Sequence, residues 1–147
     1  MRQSSRRIET RLARLTLAGL AVYAPLETIA SWQMVGGAHV LLHPGFLQSI
    51  VGFGLLFWGS MRSLRARPRP APAIMCIAHA WCASVFWHAS TVRLAAVQRG
   101  LEMFYGSAEL WIVWSGTIVA LAFFGCSLWL TVRTETATLD ARMPTES

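Results

Sequence analysis

The chain has no lysine at all, and only 14% of its 147 residues are charged, against about 25% in an ordinary soluble domain. That shortage excludes a conventional water-soluble globule. With 54% hydrophobic residues and a mean hydropathy of +0.46, the apolar excess is too large for the interior of so short a chain and points to lipid. Cysteine is also scarce. Cys76, Cys82 and Cys126 form no C-x-x-C pair and fall within apolar runs, which excludes thiol–disulfide chemistry through loop cysteines. They read as small buried apolar residues.

Motifs are scarce too. No Walker sequence, G-x-S-x-G, H-E-x-x-H or pair of catalytic carboxylates occurs, so no reaction is specified. The net charge of +6 and pI near 10.6 would suit a nucleic-acid partner. Without a zinc finger, an RNP motif or a basic heptad region, none is expected. All 13 basic residues are arginine, which base composition alone can produce; their placement is what informs.

What the chain does contain is four apolar segments. A bilayer core of about 30 Å needs roughly 20 apolar residues in a helix. Residues 15–35, 46–61, 73–92 and 108–132 approach that length. The second would reach only about 24 Å, so it must begin at Pro44, which is favourable in a first helical turn, or thin the bilayer. A buried hairpin is the alternative. The flanks, 1–14 and 133–147, are a basic tail and a polar tail.

Arginine placement tests this division. Eleven of the thirteen lie in the N-terminal tail, the loop between the second and third segments, and the C-terminal tail; only Arg93 and Arg99 lie in the remaining loops. The positive-inside rule then puts both termini in the cytoplasm. The expectation is an all-α, integral membrane four-helix bundle, N-in and C-in, in a bacterial cell (inner) membrane. A cleaved signal peptide is the rival for the first segment. It fits less well, because Glu9 interrupts the pattern and no A-x-A site follows. In the second loop, Arg62, Arg65, Arg67 and Arg69 alternate with proline and serve as a stop-transfer strip or as a contact for anionic lipid headgroups, worth about 1 kcal/mol for each arginine.

Ionisable groups within a span are functional candidates. Glu27 lies about 18 Å along the first span, on a stripe with Thr16, Leu20, Tyr23 and Ser31. Its carboxylate should face other helices, either held protonated by burial or paired with an arginine or histidine, and Pro25 should kink the helix beside it or free a carbonyl. His88 lies about 22 Å along the third span, and His39 and His43 sit in the first outer loop. Glu102 and Glu109 fall at the same level. Glu27, His39, His43 and His88 are thus candidate ligands for a divalent metal, and His88 with His39 or His43 for haem b. Imidazole with carboxylate suits zinc, copper, iron or nickel. The same groups also suit a quinone. A pair at i and i+4 shares a helix face, yet Gly36, Gly37 and Pro44 flank this one. His79, about 900° of helix from the position nine residues on, points away from His88 and cannot share its site.

Two further patterns concern packing. Trp32, Trp58, Trp87, Trp111, Trp114 and Trp129 suit interfacial belts, with Trp87, Trp111 and Trp114 as an alternative ring-stacking pocket. Gly52, Gly54 and Gly59 in the second span, and Ala78, Ala80, Ala83 and Ala89 in the third, permit close helix approach. They would serve compact bundling, a homo-oligomer or a place in a larger membrane complex. The sequence therefore predicts an accessory, transporter-like or assembly component of the membrane without its own catalytic site. A redox or metal-handling protein with a haem, metal or quinone site near the outer face is the alternative.

Overall fold

The computed structural model of the chain describes residues 2–35, 37–65, 71–100 and 107–140. Four helices, α1 (Arg2–Val35), α2 (Pro44–Leu64), α3 (Ala71–Gln98) and α4 (Ser107–Asp140), follow one another, with a 3-10 turn (Gly37–Leu42) between the first two. Among the described residues there is no strand. Three of the helices are long and apolar enough to cross a membrane, and the chain is an all-α, multi-pass membrane protein. α2, with 21 residues, is about 31 Å long by its rise. It is not one of the three, because Gln48, the serines and the four glycines dilute its apolar content.

Helix α1 starts far earlier than residue 15. The arginine-rich stretch expected as a tail forms its first turns. Local chemistry explains this: no proline or glycine interrupts it, Arg6 pairs with Glu9 at 3.3 Å one turn on, and Leu12 and Ala13 are buried. Arg6 Nη2 also donates to the Ser63 carbonyl at 2.6 Å, tying this turn to the end of α2. Helix α4 likewise runs past Val132, with the Arg133 guanidinium lying 4.9 Å from the Trp129 ring centre. At about 51 Å each by rise, α1 and α4 exceed the lipid core and extend into the headgroups and beyond.

Two glycines close helices. Gly37 (φ 74°) and Gly100 (φ 69°) take the left-handed conformation that ends a helix and that glycine adopts without steric cost. Pro44 does begin α2, and His43 caps it with extended backbone (φ −72°, ψ 124°) while its side chain makes no capping bond. His39 stands in the 3-10 turn and His43 outside any helix, so the two do not share an α-helical face as their spacing allowed.

The helices run up and down, each packed on the next, with the broadest interface between α3 and α4 and only light contact between α1 and α4. Close approach is bought by the glycines. A Cβ on Gly59 would stand 2.9 Å from Met75 Cγ, and one on Gly52 would stand 3.0 Å from both Cys82 Sγ and Trp81 Cδ1. Ala78 and Ala83 are buried opposite them, whereas Gly54 faces open space.

The core is in two tiers. Leu12, Ala13, Met75 and Leu130 form the inner one. Leu56, Ala78, Cys82, Ala83 and Ala120 form the middle one, with Phe53 and Phe86 against it. Beyond that tier the bundle opens. Large apolar side chains such as Val22, Phe57, Ile77, Ile118 and Trp129 lie exposed on all four helices, as lipid contact requires.

Candidate functional site

The polar stripe of α1 faces the interior and bonds each neighbour in turn. Thr16 Oγ1 meets His79 Nε2 at 3.1 Å, Tyr23 Oη meets Ser115 Oγ at 3.4 Å, and Glu27 Oε1 accepts from Ser49 Oγ at 3.1 Å. Ser31 Oγ donates to the same oxygen at 3.4 Å. The carboxylate is thus held by two hydroxyls, and among the described residues no arginine or histidine pairs with it. Both donors fall on Oε1, and among the described residues no donor reaches Oε2.

Above the middle tier, a cavity of about 240 Å³ opens at the end of the bundle that holds Glu27. Glu27 and Ser31 enter from α1, His43 and Ser49 from the start of α2, and His88 and Arg93 from α3. Its apolar walls include Phe46, Trp81, Phe86 and Val113. The cavity is not sealed, since His43, Gln48, Trp81 and His88 in its wall are exposed.

Rigid contacts set the walls. Trp81 Nε1 donates to the Gln48 carbonyl at 3.0 Å, which lays the indole along α2 beside Gly52. Phe86 packs edge-on against Tyr23 (centroids 5.6 Å, 68°) and fills the space where a Cβ on Gly116 would sit, 3.0 Å from Cε1. The His43 ring folds back on Gly45, whose Cβ would stand 3.3 Å from Nδ1. Arg93 donates Nη1 to the Ala89 carbonyl at 3.4 Å.

Three of the four candidate ligands therefore line one cavity: Glu27, His43 and His88. His39 is exposed and is not among the lining residues. Among the described residues, no three His, Cys, Asp or Glu side chains are grouped closely enough to hold a metal ion. Glu102 and the Glu109 side chain lie outside the described residues. Trp87 and Trp114 do stack, edge to face at 5.7 Å, but Trp111 is 76% exposed and neither member of the pair lines this cavity.

His79 occupies a separate place. It is only 2% exposed, with Nδ1 3.3 Å from Ser127 Oγ and its ring edge-on to Phe123 (5.5 Å, 83°). A smaller cavity of about 60 Å³ beside it has room for about two waters. Phe53, Cys82 and Phe86 line both cavities and stand between them. Sequence reasoning separated His79 from His88 correctly, and missed Ser49, Gln48 and Arg93 as wall residues. Ser49 carried a signal: it follows Gly45 by one turn on the interior face of a helix that starts at Pro44.

No known protein family, curated protein or solved structure matches the chain.

Proposed function

We propose that this protein is a non-catalytic accessory or transporter-like component of a bacterial cell membrane, with both termini cytoplasmic, that holds a small ligand at its outer face. The observation that carries this reading is the outer cavity, in which a carboxylate and two imidazoles meet aromatic walls. Most ligand sites are concave and apolar with a few converging polar groups. Below the cavity, by contrast, polar groups are engaged in helix-to-helix bonds such as Thr16–His79–Ser127.

The orientation follows from the arginines. Arg62, whose guanidinium carbon lies 5.8 Å from the Trp58 ring centre, and exposed Arg65 are placed on the cytoplasmic side in this reading, with anionic headgroups as their partners. Arg67 and Arg69 lie outside the described residues. Exposed apolar faces meet lipid, a second copy, or the subunits of a larger complex. A periplasmic reporter fused after residue 147 should stay inactive and a cytoplasmic one should work; the reverse pattern would overturn the orientation.

A second reading has a specific observation behind it, since His43 and His88 share the cavity. In a redox protein they would be axial haem ligands. The deciding measurement is an absorption spectrum of protein purified in mild detergent, oxidised and then reduced with dithionite. The non-catalytic reading expects tryptophan absorbance alone. A Soret band that shifts on reduction, and is lost in His88→Ala, would replace it with the haem protein.

A further inference from the structure

We propose that the outer cavity binds a small, uncharged aromatic ring bearing hydroxyl groups, a hydroquinone-type headgroup, between Glu27 and the imidazoles of His43 and His88. This rests on the ligand-holding reading above and names the class of ligand.

Size comes first. At about 240 Å³ the cavity falls below the roughly 300 Å³ at which pockets for drug-sized molecules begin, and suits one substituted ring. Charge comes second. Among the described residues, the lining carries one carboxylate, Glu27, and one guanidinium, Arg93. One charge of each sign gives an ion no net attraction, while an entering ion still gives up its hydration. A neutral ligand with polar edges meets no such penalty.

The walls then fix the shape. Trp81 is pinned through Gln48 and Phe86 through Tyr23, so two rigid aromatic surfaces are in place before a ring arrives. Aromatic pairs favour offset or edge-to-face contact over plain apolar burial. Below, Phe53, Cys82 and Phe86 close the floor.

Hydrogen bonding selects hydroxyl. Glu27 Oε1 is occupied by Ser49 and Ser31, while Oε2 has no donor among the described residues and can accept a phenolic O–H. His43 and His88 are exposed, and among the described residues neither ring is hydrogen-bonded. Each offers a donor or an acceptor to the opposite edge of the ligand. A ring with oxygens at both ends satisfies both sides of the cavity.

The test uses full-length protein in detergent, under argon, titrated with 2,3,5-trimethylhydroquinone and with its dimethyl ether, binding read from quenching of tryptophan fluorescence. The ether keeps the ring and removes both O–H donors. The hydroquinone should bind about tenfold more tightly than the ether, the loss expected for a hydrogen bond to a charged acceptor. Glu27→Gln should abolish that preference without changing the far-ultraviolet circular dichroism, because Gln keeps the shape and can still accept from Ser49. His88→Leu, at an exposed position, should weaken hydroquinone binding with the fold intact. Equal binding of the ether, an unchanged preference in Glu27→Gln, or tighter binding of benzyltrimethylammonium or benzoate would each overturn the proposal. Failure of all four probes would also overturn it, yet leave the non-catalytic reading standing if the spectrum shows tryptophan alone.

Discussion

Replacing His79 by alanine should lower the unfolding free energy by about 3–4 kcal/mol, and replacing it by leucine by only about 1–2 kcal/mol. The buried imidazole bonds two helices at once, Thr16 of α1 through Nε2 and Ser127 of α4 through Nδ1. Alanine loses both bonds and leaves a void beside the existing 60 Å³ cavity, which Phe123 and Met75 can only partly fill. Leucine keeps most of the volume. Interhelical bonds in membrane proteins average about 0.6 kcal/mol and reach about 1.7, so their loss alone is modest. Ser127 has fallbacks in the Phe123 and Phe124 carbonyls at 2.9 and 3.0 Å; Thr16 has none among the described residues. Thr16 therefore carries most of the leucine cost, and a Thr16→Val, His79→Leu double variant should be no less stable than His79→Leu. Equilibrium unfolding in mixed micelles with rising SDS measures all three. Equal costs for alanine and leucine would show that the polar bonds, and not the packing, hold this level of the bundle.

The number and order of helices were legible because each apolar run approaches the bilayer length and proline or glycine lies between them. The interior stripe Thr16, Tyr23, Glu27, Ser31 was legible for the same reason any helix face is: spacings of three and four residues put side chains on one side, and all four bond inward. The small residues of α2 marked a helix able to approach another closely without naming its partner, and Gly52 and Gly59 are the ones that meet α3. Helix ends were less legible. Charge marked residues 2–14 as a tail, yet a helix can carry arginines on one side while Leu12 and Ala13 face the core. Partners were least legible. Glu27 and Ser49 lie 22 residues apart, Thr16 and His79 lie 63 apart, and only the register between helices brings them together. Spacing along one chain segment does not contain that register. The i, i+4 spacing of His39 and His43 would share a face only on an α-helix, and the glycines and proline that flank the pair go with a 3-10 turn and an extended cap there instead.

Gly59→Ala should lower stability by about 1–3 kcal/mol, and Gly59→Leu should leave no folded protein. The position meets the backbone as well as side chains: an added Cβ would stand 3.2 Å from Met75 N and 3.1 Å from Ile74 Cγ2, besides the 2.9 Å to Met75 Cγ. A side chain can turn aside, but the Met75 nitrogen moves only if α3 moves. Met75 is fully buried in the inner tier, and Ser63 Oγ donates to its sulfur at 3.3 Å. Separating α2 from α3 therefore also loosens Ser63, whose carbonyl holds Arg6 of α1. One methyl group thus strains three helices at the end where they are most tightly joined. Gly54→Ala is the matched comparison: same helix, same chemical change, nothing within 4 Å of the new Cβ. It should be neutral or gain up to about 0.5–1 kcal/mol, the usual advantage of alanine over glycine within a helix. Thermal unfolding of the two variants side by side in one detergent separates steric conflict from helix propensity. A Gly59→Ala protein as stable as Gly54→Ala would mean that the α2–α3 crossing is looser than these distances describe, and the inner tier with it.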